Sequence, residues 1–151
     1  LKTTIKKTSK RYGTTPGIRI KKKNKILVAI DTSGSINQDE LNAFFSEIYH
    51  IHKQGTEIFI VECDSKIQKK YSYTGVVPKL VYGGGGTDFN EPIYFSNEFY
   101  KPDAIIYFTD LQGEVPVIKT RSPLMWMVSK NGIDKDSETW NIFEGRKIKM
   151  G

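Results

Sequence analysis

Five oxygen-bearing side chains stand where apolar runs of this 151-residue chain give out. Asp31, Ser33 and Ser35 follow the run ILVAI at alternate positions of DTSGS, Thr87 follows the glycines 83–86, and Asp110 follows AIIYFT. Carboxylates gathered at strand ends repel one another unless a positive charge lies between them. A hard divalent cation with oxygen ligands meets that need, and a set of two carboxylates and three hydroxyls suits Mg²⁺ or Mn²⁺, with Ca²⁺ as a further oxygen-seeking ion, rather than zinc. Alternate residues leaving a strand can face one side, so Asp31, Ser33 and Ser35 can converge on a point. The glycine run lets backbone pass close to that point.

Other residues have plainer readings. A third apolar run, IFIVEC, ends in Asp64, which either stands behind the ligands or opens the turn into the next strand. Asp88 can support the same site, or cap the helix that follows it. His50 and His52 are two apart on a helix and point in different directions, so they cannot chelate one ion. Cys63, the single cysteine, lies in an apolar run and reads as a small buried side chain. No Lys-Ser or Lys-Thr follows the glycines, which argues against a phosphate-binding loop.

The elements that must hold these residues read as alternating strands and helices. Residues 26–30, 56–63, 103–109 and 123–128 are short apolar runs of the kind buried on both faces of a sheet. Asn37 and Glu40 form a capping box ahead of Leu41, Phe44, Phe45 and Ile48 at helical spacing, and Gly55 closes that helix. The more polar stretch 66–73 suits an edge strand in a hairpin. Asp88 or Asn90 can start a short helix with Pro92 in its first turn. Residues 140–150 predict a final short strand or hairpin. The pattern implies an α/β fold: a doubly wound, Rossmann-like, mostly parallel sheet with helices on both faces and one antiparallel edge strand.

Charge divides the chain. The net charge of +6 is concentrated at the N-terminus, where residues 1–25 hold ten basic side chains and no acid. The other 126 residues carry 13 basic and 17 acidic side chains, so the body is mildly acidic. Residues 1–24 therefore read as a basic lead-in or linker and 25–151 as the domain. Nucleic acid is a candidate partner only through residues 1–25, where Tyr12 is the one aromatic. No stretch approaches the ~20 apolar residues that cross a bilayer, so no membrane partner is expected. One cysteine allows no internal disulfide, and the cytoplasm is the default compartment. The chain begins at Leu1, which reads as part of something longer.

DTSGS before a helix, then GGGGTDF, then FTD after an apolar strand resembles the metal-ion-dependent adhesion site of von Willebrand factor A-type domains. The resemblance covers roughly residues 25–130. Within that superfamily DTSGSI, the strand end Glu62-Cys63-Asp64, YFTD and LMWMV are most similar to the C-terminal domain of bacterial metallopeptidase-type proteins associated with MoxR-type AAA+ ATPases. A peptidase motif HExxH would lie upstream. The resemblance implies that Ser33 and Ser35 ligate directly, Thr87 ligates when a partner is engaged, and Asp31 and Asp110 act directly or through water. A partner's Asp or Glu would take the open position. Only about 20 residues follow LMWMV, so the terminal-helix switch of adhesion-type members is not carried over.

The leading expectation is a metal-dependent protein-interaction module with no catalytic residues of its own and a MoxR-type ATPase as one possible partner. The competing expectation is a phosphotransfer or hydrolase domain of receiver or haloacid dehalogenase type, for which Asp31, Asp64, Thr109 and Lys130 are the corresponding set. Against it, such folds call for an acidic pair or Asp-x-Asp where this chain has Asp31-Thr32-Ser33.

Overall fold

A computed structural model describes residues 23–77 and 85–151. Most of the lead-in 1–24 and the glycines 83 and 84 lie outside the described residues. Six strands form one sheet: β1 (Lys25–Asp31), β2 (Glu57–Cys63), β3 (Ile67–Ser72), β4 (Ala104–Thr109), β5 (Leu124–Val128) and β6 (Arg146–Lys149). Their order is β3-β2-β1-β4-β5-β6, with β3 antiparallel to β2 and the other neighbours parallel. From β1 the chain first builds outward to β2 and β3, then returns to β1's other side for β4 and outward again. The order therefore reverses between β1 and β4, where parallel α/β sheets open a crevice beyond their carboxyl ends.

The central strand is buried along Leu27–Asp31 because both of its faces are covered. Val28 and Ile30 face α1 (Gln38–Lys53), which inserts Leu41, Phe44, Phe45 and Ile48. That helix forms where expected: Asn37 accepts the Glu40 N–H at 2.8 Å and Glu40 accepts the Asn37 N–H at 3.0 Å. Gly55 follows its end at φ +90, a conformation that favours glycine. Leu27 and Ala29 face the second core, where Phe89 meets Tyr107, Trp126 and Phe143 edge to face at 5.2, 5.2 and 5.6 Å. The short α2 (Asn90–Phe95), the π-helical turn Ser96–Tyr100 and α3 (Glu138–Ile142) lie along the later chain.

The C-terminal stretch ends in the expected short strand, β6, but a short helix precedes it and it forms no hairpin. Ser137 caps α3 by accepting the Trp140 N–H, and Trp140 and Phe143 bury in the second core. Gly145, at φ +106 against the Leu124 carbonyl, then turns the chain into β6. Because β6 runs parallel to β5, the connection is a crossover and not a hairpin.

Candidate metal centre

Asp31 closes β1 and Asp110 follows β4, so the two carboxylates flank the crevice at the sheet's reversal point. Asp31 is 0% exposed and Asp110 1%. The DTSGS turn folds back on its own strand: Ser33 N–H donates to Asp31 Oδ1 at 2.9 Å. Ser33 Oγ lies 3.3 Å from Ser35 Oγ, and Ser35 Oγ donates to Asp110 Oδ2 at 2.6 Å. Four of the five predicted ligands are thus one connected cluster.

Thr87 stands beside this cluster and not within that chain of bonds. Its loop is tied to the turn by Gly34 N–H donating to the Gly85 carbonyl at 3.2 Å. Thr87 itself is half-buried, with its methyl against Gly113, where an added Cβ would come within 3.2 Å of it.

The other two acids bind neighbouring backbone and side chains, and Asp64 also binds Gly85 of the loop that carries Thr87. Asp64 Oδ1 accepts from Gln68 Nε2 at 2.9 Å and Lys66 N–H at 3.3 Å, so its carboxylate ties the turn into β3. Burial raises its pKa, but these bonds and one from Gly85 outweigh burial and hold it below the usual aspartate value. Asp88 Oδ1 accepts the Asn90 N–H and Asn90 Nδ2, both at 2.9 Å, which braces the turn into α2, while the N-cap position is Phe89 and not Asp88. Asn90 does not cap; its Oδ1 accepts from Val117 and Ile118 N–H at 2.8 and 3.0 Å. Cys63 is buried, and its Sγ lies 3.5 Å from the Asp64 carbonyl as a weak donor.

Three contributors escaped the sequence reading of the metal set. Thr109 Oγ1 donates to Asp31 Oδ2 at 2.5 Å and accepts the Leu111 N–H at 3.1 Å, joining the two strand ends. A buried hydroxyl immediately before Asp110 was the available signal. Leu111 takes φ +64, uncommon for a bulky residue, in the turn that also brings Gln112 N–H to Asp110 Oδ1 at 2.9 Å. Gly132 packs directly on Asp110: a Cβ there would lie 2.7 Å from its carbonyl oxygen and 2.8 Å from its Cα. Asn131-Gly132 signals only a turn, so no local pattern reveals that contact.

The donor chemistry fits a hard divalent cation. Each of the four carboxylate oxygens of Asp31 and Asp110 accepts a hydrogen bond, and lone pairs remain on both groups for ligation. Burial pushes the Asp31 carboxyl above the ordinary aspartate range; hydrogen bonds from Ser33 and Thr109 oppose that push, and the charge of Asp110 adds to it. The described ion pairs, Lys119–Glu144 and Arg121–Glu98, involve neither acid and are solvent-exposed. A cation between the two carboxylates would relieve both the repulsion and the burial cost.

Residues 26–143 match the family described as VWA-like domain (DUF2201). The chain is 34% identical over 122 residues to an uncharacterized protein of Thermotoga maritima, covering 79% of this chain and 31% of that protein. Among solved structures it is similar to the ArnB paralog VWA2 from Sulfolobus acidocaldarius, with a TM-score of 0.53 at 17% identity over 72% of this chain and 35% of the other. The chain thus spans about a third of the length of each of these two proteins.

Proposed function

The chain belongs to the VWA-like domain family (DUF2201), whose members generally serve as protein-interaction modules, and on that premise we propose that it binds a protein partner through a divalent cation at its rim. Asp31, Ser33, Ser35 and Asp110 would hold Mg²⁺, or Mn²⁺ or Ca²⁺, with Thr87 completing the set from the neighbouring loop. Bound there, the cation would supply positive charge to which a partner's aspartate or glutamate is drawn. The observation that carries this reading is the Ser33–Ser35–Asp110 chain of contacts next to Asp31, which brings four predicted ligands to one rim with the carboxylates buried.

What the chain's own residues do follows from their bonds. Thr109 and the Ser33 amide orient Asp31; the Gln112 amide and Gly132 fix Asp110. Gly34 holds the loop that carries Thr87. The narrower part of the proposal is that the domain belongs to a longer metallopeptidase-type protein and that its partner is a MoxR-type AAA+ ATPase, which rests on the motif resemblance alone. In contrast, a receiver-type reading needs Asp64 beside Asp31, whereas the Asp64 carboxylate is engaged with Gln68 and Lys66.

The test is a capture experiment with wild type and Thr87→Ala, each with Mg²⁺ and with EDTA. The partner should be retained by wild type in Mg²⁺ and lost in the other three samples, with both proteins folded. Equal recovery from all four would show that the rim is not the binding surface.

A further inference from the structure

A second feature lies on the sheet's outer strand, away from the carboxylate pair. Between β3 and α2 runs a groove of about 650 Å³, floored by Ile67, Phe95 and Ile118 and walled by Lys70, Tyr94 and Phe99. Tyr94 is 51% exposed and Phe99 66%, and their rings meet edge to face at 6.1 Å. Exposed aromatics grouped beside a groove mark an interaction surface more often than isolated apolar residues do.

The groove borders a sheet edge. Tyr73 N–H donates to the Ile58 carbonyl, so the antiparallel alternation turns the backbone groups of Lys70 and Ser72 away from β2. At the start of the strand the outward Ile67 N–H is taken by the Glu91 carboxylate at 2.7 Å, a side-chain acceptor where a neighbouring strand would offer a carbonyl. Among the described residues β3 has no further strand beside it.

We infer that this groove docks an extended, acidic and apolar segment of a partner protein, which adds a strand to the outer edge of β3. Main-chain bonds to Lys70 and Ser72 supply the ladder, and alternate apolar side chains enter between Tyr94, Phe95 and Phe99. The charge selects the partner. Lys70 is held over the Phe95 ring at 5.0 Å, and Lys69 and Lys66 lie on the same hairpin of an otherwise acidic body. Two copies pairing β3 to β3 would oppose lysine to lysine, which disfavours a second copy of this chain. An acidic segment meets the opposite charge instead. This inference does not depend on the cation at the rim.

The test is ¹⁵N-resolved NMR of the whole chain in EDTA, titrated with a capped peptide of alternating valine and glutamate and with its valine–lysine counterpart. The valine–glutamate peptide should move the amide signals of Lys70, Ser72 and Phe99. N-methylation of its alternate amides should abolish the effect. Phe99→Ala should weaken binding roughly fivefold, and Lys70→Glu should shift the preference toward the valine–lysine peptide. Equal binding of both peptides by wild type, changes confined to the rim, or no change would overturn the inference. So would concentration-dependent changes at β3 without peptide, which would assign the edge to a second copy.

Discussion

Asp31 and Asp64 close neighbouring parallel strands, each after a run of apolar residues, yet the fold treats them oppositely. Asp64 receives bonds from Gln68 and Lys66 in the turn it opens, and its carboxyl is held below the usual range. Asp31 is bonded by the Ser33 side chain and amide and by Thr109, yet burial outweighs these bonds and, with the charge of Asp110, pushes its carboxyl above that range. The lesson is that a strand-end acid is not by itself a site. A turn that satisfies its acid makes a structural brace; an acid left buried with a like-charged neighbour at the sheet's reversal point is one that a cation would stabilise.

The largest blow to one side of this comparison is Gly132→Ala. Its Cβ meets backbone of Asp110, which cannot swing aside as a side-chain tip can, so the variant should lose about 3 kcal/mol in denaturant unfolding. The hairpin around Asp64 should keep its spectral signature in the folded fraction. A loss as small as that of a surface substitution would mean that Asp110 has no rigid platform.

Amide substitutions should then split the two acids by sign. In metal-free protein near neutral pH, Asp64→Asn replaces a charged acceptor and should lower stability by about 1 kcal/mol. Asp31→Asn removes a buried, repelled charge and should raise stability by a comparable amount. Their pH dependence follows. The folded pKa of Asp31 lies above its unfolded value, so stability falls as pH rises through that window. The folded pKa of Asp64 lies below its unfolded value, so its contribution is present above ordinary aspartate pH and is lost as pH falls through the depressed value. Unfolding curves across pH should show the first slope vanish in Asp31→Asn and the second in Asp64→Asn. Equal slopes in both variants would erase the distinction.

Much of this was legible in residue pattern. The capping box at Asn37 and Glu40, the buried runs, the β3 edge strand and the convergence of Asp31, Ser33, Ser35 and Asp110 follow from local chemistry and strand-end logic. The missing pieces are contacts between distant segments. Thr109 lies 78 positions from Asp31, and Gly132 matters only because the segment after β5 folds onto Asp110. The terminal strand β6 was legible but the helix before it was not, because α3 is only five residues long and rests on the Ser137 cap and on burial of Trp140 more than on periodicity. Thr87 shows the remaining difficulty: sequence puts it in the ligand set, while its place beside the cluster is fixed by backbone bonds between distant segments, Gly34 to Gly85 and Asp88 to Asp64.

The central claim is that the rim binds a divalent cation, and the direct measurement is thermal unfolding of EDTA-treated protein on adding Mg²⁺ or Mn²⁺. Binding to the folded state alone adds about 2.7 kcal/mol at a hundredfold excess over Kd, so the wild-type melting temperature should climb with metal concentration. Asp31→Asn and Asp110→Asn should stay flat, while Asp64→Asn should respond like wild type. A wild type indifferent to both metals, or Asp31 and Asp110 variants that respond as wild type does, would contradict the account.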